Sequence, residues 1–186
     1  MINKKGLLLV VSGPSGTGKG TICKDIVAKH EDINLSISAT TRKPRVGEVE
    51  GKSYFFKTKE DFEDMVDKGE FLEHAMIYDN YYGTPKKAIF DELDMGRDVI
   101  LEIEMQGAMQ IKEVYPQAVF IFVLPPSLQE LKNRIIGRGT ETEEQIEKRF
   151  NSAYDEIKLL GDYDYFIFNN IVEKSSEEIL NILEVE

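Results

Sequence analysis

The stretch that most restricts the fold is Gly13-Pro14-Ser15-Gly16-Thr17-Gly18-Lys19-Gly20, together with its two flanks. Before it, Leu7-Leu8-Leu9-Val10-Val11-Ser12 is apolar without alternation, which reads as a strand buried on both faces. After it, Thr21-Ile22-Cys23-Lys24-Asp25-Ile26-Val27 keeps helical spacing. Strand, glycine loop and helix in that order make a cradle for phosphate. Glycines let successive backbone N–H groups point inward, and the helix N-terminus adds partial positive charge. Lys19 then reaches the outer phosphates.

The spacing fits the phosphate-binding loop G-x-x-x-x-G-K-[ST] of nucleoside triphosphatases, except that Gly20 holds the hydroxyl position and Thr21 comes one residue later. That departure touches the magnesium ligand. Gly13, Pro14, Ser15, Gly16, Thr17, Gly18, Lys19, Gly20 and Thr21 are the candidate nucleoside triphosphate contacts. Motors, switches and kinases share such loops, so the reaction has to be read from the rest of the chain.

At 186 residues and 41% apolar content the chain suits one domain, or a core with an inserted lobe. The excess of 34 acidic over 23 basic residues gives a net charge of -11, which opposes general attraction to a nucleic acid backbone or an anionic membrane. No nucleic acid polymer and no membrane are expected as partners. The apolar run near Met1 lacks a signal-peptide cleavage region, and a cytoplasmic protein is expected. Cys23 is the single cysteine and falls on the apolar stripe of the first helix, as core material.

Further along, Asn34-Leu35-Ser36-Ile37-Ser38 alternates as a short strand. Ala39 to Arg45 reads as an exposed, semi-rigid segment carrying Arg42 and Arg45 around Pro44, either an anion grip or a solvated basic loop. From Val46 to Gly83 the texture turns to short strands, aromatic residues and one helix capped by Thr58, which looks like an inserted lobe. Thr84 is read as the N-cap and Pro85 as the first residue of a helix running to about Met95. Val99-Ile100-Leu101-Glu102-Ile103-Glu104, Ala118 to Leu124 and Tyr165 to Asn169 are buried-strand runs, each of the first two followed by a helical stretch. Ser127 and Ser175 are read as caps of later helices. Arg134 and Arg138 lie four apart on one helix face, and Arg149 stands in the next helix beyond a polar, glycine-containing connection suited to a lid. Five core strands with right-handed crossovers make an α/β fold, a parallel sheet with helices on both faces and ligands beyond the strands' carboxyl ends.

Taken together, the glycine loop, Ser38-x-Thr40-Thr41-Arg42-x-Pro44-Arg45-x-Gly47-Glu48, Gly51-x-x-Tyr54-x-Phe56, Asn80-Tyr81-Tyr82-Gly83-Thr84, Gln106-Gly107 and Gly137-Arg138-Gly139-Thr140-Glu141 resemble the guanylate kinase family, in matching order from Leu7 to Asn169. The resemblance implies transfer of the γ-phosphoryl group of ATP to GMP, with magnesium, on a core of residues 1–35 and 96–186, an acceptor lobe over about 36–95 and a lid over about 137–148. It implies that Arg42, Arg45, Tyr54 and Tyr82 hold the acceptor's phosphate, that Glu73, Ser38 and Thr84 read guanine, and that Arg134, Arg138 and Arg149 converge with Lys19 on the donor phosphates. By the same resemblance Glu102 contacts substrate and holds the metal, directly or through water, and Asn169 contacts the donor purine. Glu104 stands where relatives usually show aspartate. The rivals are a related kinase with another acceptor, which Glu73 and Thr84 oppose, and a catalytically silent binding module of the same fold, which intact Lys19 and the arginines oppose. No residue here clearly reads the ribose 2′-hydroxyl, so the choice between GMP and dGMP stays open, and the motifs suit a monomer and a homo-oligomer alike.

Overall fold

In the computed structural model, which describes residues 5–77, 79–137, 143–158 and 160–186, the apolar run before the glycine loop becomes β1 (Leu8–Ser12), the central strand of the larger sheet. The loop leads into α1 (Lys19–Lys29) and then β2 (Ile33–Leu35). A second group of elements follows: β3 (Ala39–Thr40), β4 (Phe55–Phe56), α2 (Lys59–Asp67), β5 (Phe71–Ile77) and β6 (Asn80–Pro85). The chain returns through α3 (Lys86–Asp94), β7 (Asp98–Glu102), α4 (Met105–Val114), β8 (Val119–Leu124), α5 (Leu128–Gly137), α6 (Glu143–Ile157), β9 (Tyr165–Phe168) and α7 (Val172–Val185).

The large sheet runs β2-β7-β1-β8-β9, and all its pairings are parallel. Alternation along β1 sorts the core into two layers. Leu9 and Val11 pack with Ile22, Cys23 and Ile26 of α1 and Ile179 of α7. Leu8 and Val10 pack on the other face with Ile89 and Leu93 of α3 and Ala108 and Ile111 of α4. Every residue of β1 and β8 is buried, the pattern of strands covered on both sides. Phe120 of β8 is fully buried in the second layer, and Phe120→Ala is expected to cost about 3–5 kcal/mol, read as a lower urea midpoint at unchanged slope.

The smaller sheet, β4-β3-β6-β5, is mixed. Its helix α2 begins as the sequence predicts, with the Asp61 N–H donating to the Thr58 hydroxyl, and Phe62 of that helix stacks between Phe71 and Tyr81. Three local expectations are corrected. Ala39 and Thr40, read as exposed loop, are buried strand, because β4 and β6 pair with them from either side. Thr84 lies in β6 rather than at a helix cap; Pro85 takes the cap position and α3 starts at Lys86. Ser175 is inside α7, whose N-cap is Ile171, because the serine's hydroxyl is drawn to the Asn169 side chain. Helix α3, which falls within the lobe of about 36–95 that the resemblance implies, buries its apolar face on the large sheet, and the smaller sheet ends at Pro85.

Candidate active site

The glycine loop joins β1 to α1 with left-handed or otherwise positive φ at Gly13, Gly16 and Gly18. At two of them space as well as angle demands glycine: a Cβ on Gly13 would strike the Val123 carbonyl of β8, and one on Gly18 the side-chain amide of Asn169. Lys19 is only 7% exposed. Its ammonium donates to the carbonyls of Gly13 at 2.5 Å and Pro14 at 3.2 Å, folding back over the loop. Thr17 closes the turn through its hydroxyl, which donates to the Pro14 carbonyl at 2.9 Å.

The far shoulder of the loop is braced from β9 and α5. Asn169, 3% exposed, donates to the Thr17 carbonyl at 2.7 Å and accepts from the Ser175 hydroxyl at 3.2 Å. Each end of its amide thus has a protein partner, so Asn169 braces the loop, and its second N–H and second lone pair stay available for the expected purine contact. The Arg134 guanidinium donates to the carbonyls of Thr17 and Asn169 and is held from below by Glu130. Arg138 lies outside the described residues, as do residues 139–142 of the expected lid; Arg149 stands on α6.

Gly20 sits in the first turn of α1 beneath Glu102, the last residue of β7. A Cβ there would meet the Glu102 carboxylate oxygens at 2.8 and 3.1 Å, so the carboxylate occupies the space in which other phosphate loops carry a hydroxyl. The departure at Gly20 and the carboxylate at Glu102 are one feature. An oxygen donor beside the loop suits a hard divalent cation that keeps several waters. Among the described residues no cluster of three or more histidine, cysteine, aspartate or glutamate side chains forms a closed metal cage.

Across from the loop, the smaller sheet gathers the expected acceptor residues. Arg42 is clasped by Glu48 through two hydrogen bonds of 2.8 and 3.0 Å, and its guanidinium lies 5.3 Å from the Tyr54 ring. Tyr82 meets that ring edge-on at 6.1 Å. The clasp pushes the Arg42 pKa up and holds the Glu48 carboxyl below its usual range. Burial raises the Tyr54 phenol, with the Glu102 carboxylate adding to it. Arg45 is exposed, but its N–H is fixed by Glu48 at 2.7 Å. Ser38 immediately precedes β3, and its carbonyl accepts from the Phe55 N–H. Sequence reasoning assigned no role to Glu48, although a carboxylate three residues from Arg45 and six from Arg42 is the signal that would have found it.

Glu73, on β5, is 6% exposed and faces Thr84 of the neighbouring β6. The Thr84 hydroxyl donates to its Oε1 at 2.6 Å. Burial pushes the Glu73 carboxyl up to about 7, against the lowering effect of the Thr84 bonds. A buried carboxylate served by the neutral donors of Thr84 still wants donors, and a pair of adjacent N–H groups would satisfy it.

The guanylate kinase family model matches residues 5–186. The chain is 68% identical over 186 residues to a guanylate kinase of Clostridioides difficile, covering all of this chain and 91% of that one. It is 55% identical over 185 residues to a guanylate kinase of Caldanaerobacter subterraneus, covering 100% and 90%. Among solved structures, a guanylate kinase from Anaplasma phagocytophilum superposes with a TM-score of 0.82 at 36% identity, over 98% of this chain and 86% of that one. The braced glycine loop, the arginine–tyrosine cluster and the buried Glu73–Thr84 pair therefore sit in a chain that belongs to the guanylate kinase family.

Proposed function

We propose that the chain catalyses transfer of the γ-phosphoryl group of ATP to GMP, giving ADP and GDP, with dGMP as a second acceptor, since no assigned residue reads the 2′-hydroxyl. The observation that carries this is the pairing of a phosphate loop holding a buried lysine with a buried carboxylate–hydroxyl pair on the opposite lobe. The chemistry is mostly positioning and charge neutralisation, because two polyanions must meet in line with water kept out.

Each residue has a task in that scheme. The loop N–H groups and Lys19 bind the donor's outer phosphates, and Arg134, Arg138 and Arg149 take up charge on the transferring group. Arg42 and Arg45, with Tyr54 and Tyr82, hold the acceptor's phosphate; Glu48 keeps the Arg42 fork extended beforehand. Glu73 accepts the guanine N1–H and 2-amino hydrogens together. Thr84 has given its hydrogen to Glu73 and keeps an acceptor oxygen for the base, with Ser38 nearby in the chain leading to β3. Adenine offers no matching donor pair. Glu102 would hold magnesium, and the ion, when bound, would neutralise phosphate charge. Among the described residues no helix is long and apolar enough to cross a membrane, and we place the reaction in the cytoplasm.

The test is ADP formation from magnesium-ATP with GMP, dGMP, AMP, CMP, UMP or no acceptor. Turnover with the two guanine nucleotides alone is expected. Equal turnover with AMP would overturn the guanine assignment, and binding of ATP without turnover on any acceptor would overturn the enzyme reading in favour of a silent module.

A further inference from the structure

Glu73 belongs to the smaller sheet, yet the surface it lies against belongs to the core. Gly107 is the third residue of α4, and a Cβ built on it would fall on Glu73 Oε2, with Cδ at 2.9 Å and Cγ at 3.3 Å. The three nearest atoms to that added carbon all belong to Glu73. Gly107 itself is buried and helical, with no positive φ, so nothing in its backbone conformation demands glycine. The residue next to Glu73 is tied to the same helix: the His74 N–H donates to Gln110 Oε1 at 3.2 Å, and Gln110 Nε2 donates back to the His74 carbonyl at 2.9 Å. One amide side chain thus makes the pair of bonds to β5 that a neighbouring strand would make.

We propose that Gly107 and Gln110 of α4 are positioning residues for guanine selection, Gly107 by leaving the slot in which the Glu73 carboxylate lies and Gln110 by pinning β5 against that slot. The inference rests on the reading of Glu73 as the guanine acceptor. Three physical points support it. The slot sets the carboxylate beside the first turn of α4, where the helix dipole favours the anion that guanine's two donors require. Burial works against that anion, so a small retreat from the helix end changes both its charge and its aim. Lastly, helix propensity and backbone conformation give no reason for glycine at this first-turn position, so the demand for it comes from the Glu73 side chain.

That demand supplies the test. Steady-state kinetics are measured for the unaltered chain and for Gly107→Ala, Gln110→Ala and Glu73→Ala, with GMP and with IMP, which lacks only the 2-amino group, alongside thermal melts. In Gly107→Ala the methyl takes the carboxylate's place. Its KM for GMP is expected to rise by roughly 30-fold or more, from the loss of charge-assisted bonds, with the GMP-over-IMP preference falling by about tenfold. The KM for ATP and the melting temperature stay unchanged, or the latter rises. Gln110→Ala is expected to raise the KM for GMP by about fivefold, in proportion to lost hydrogen bonds, and to lower the GMP-over-IMP preference in the same direction. A purely structural role would lower the melting temperature and slow both acceptors equally.

If Glu73→Ala leaves GMP use and the GMP-over-IMP ratio intact, the guanine assignment itself falls, and the inference with it. If Glu73→Ala collapses the ratio while Gly107→Ala and Gln110→Ala both preserve it, the assignment stands and the positioning role is overturned. Should Gly107→Ala fail to fold, the claim that its methyl displaces only a side chain is wrong, and Gln110→Ala decides the remainder.

Discussion

Changing Lys19 to alanine is expected to lower kcat for ADP formation by about 10³-fold, the upper range for removing one group that stabilises charge developing in a transition state. The ammonium is nearly buried and is held over the loop by the carbonyls of Gly13 and Pro14, so it is aimed before any nucleotide arrives. On binding ATP it exchanges neutral carbonyls for phosphate oxygens, a stronger partner at little cost in ordering. The structural penalty of the substitution is small, about 1–2 kcal/mol for the two lost bonds. Turnover at saturating ATP and GMP, followed with the melting temperature, checks this. A folded variant that keeps a tenth of the wild-type kcat would remove Lys19 from the reaction.

The second large effect belongs to Glu73. Glutamine at this position offers an amide donor to one of guanine's own donors, and the misfit lowers kcat/KM for GMP by roughly 10⁴-fold, as for other sites whose buried polar groups lose their match. The same residue carries a pH signature. Its carboxyl is raised from 4.5 to about 7 by burial, and in the role proposed for it the ionised form receives guanine. GMP binding therefore expels a proton below pH 7, and the KM for GMP rises about 30-fold between pH 8 and 5.5, following the ionised fraction. The phosphate of the acceptor titrates near pH 6 in both proteins, so the ratio of the wild-type and Glu73→Gln profiles isolates the side chain. A ratio that stays flat across this range would show that Glu73 does not titrate there. For stability the sign is opposite. The folded chain holds this proton more tightly than the unfolded one, so the contribution is full below pH 4.5 and is lost as pH rises to about 7, by at most about 3 kcal/mol. Glu73→Gln removes that slope.

What the sequence revealed follows from how far each signal reaches along the chain. Leu7 to Ser12 carries its own evidence of burial, and the glycine loop its own chemistry, so the large sheet and its carboxyl-edge site were legible. Ala39 and Thr40 were not: a two-residue strand has no period to read, and its pairing is supplied by Phe55 and Phe56 and by Tyr82 and Gly83 far downstream. Ser175 with Glu178 has the spacing of a capping box, but the same spacing places two residues on one face of any helix, and α7 was already under way. The assignment of Glu73 came from resemblance alone, because an isolated glutamate in a half-polar strand looks solvent-facing until the opposite threonine and the distant helix are in place. The bracing role of Asn169 was hidden for a related reason, since its partners Thr17 and Ser175 come from two distant parts of the chain.

The place of β1 at the middle of the large sheet also sets a timetable for synthesis. Leu7 is hydrogen-bonded to Asp98, 91 residues later in the chain, and the partner on its other flank, β8, is made later still. At translation rates of roughly 5–20 residues per second, this fully buried strand leaves the ribosome roughly 5–20 s before its first neighbour exists. During that interval the phosphate loop lacks the β8 carbonyl that packs against Gly13 and the Asn169 side chain that braces Thr17. The nascent chain thus exposes an aggregation-prone segment early and completes the braced loop only once Asn169 has been made, so ATP can stabilise the assembled loop but not the precursors that lack it.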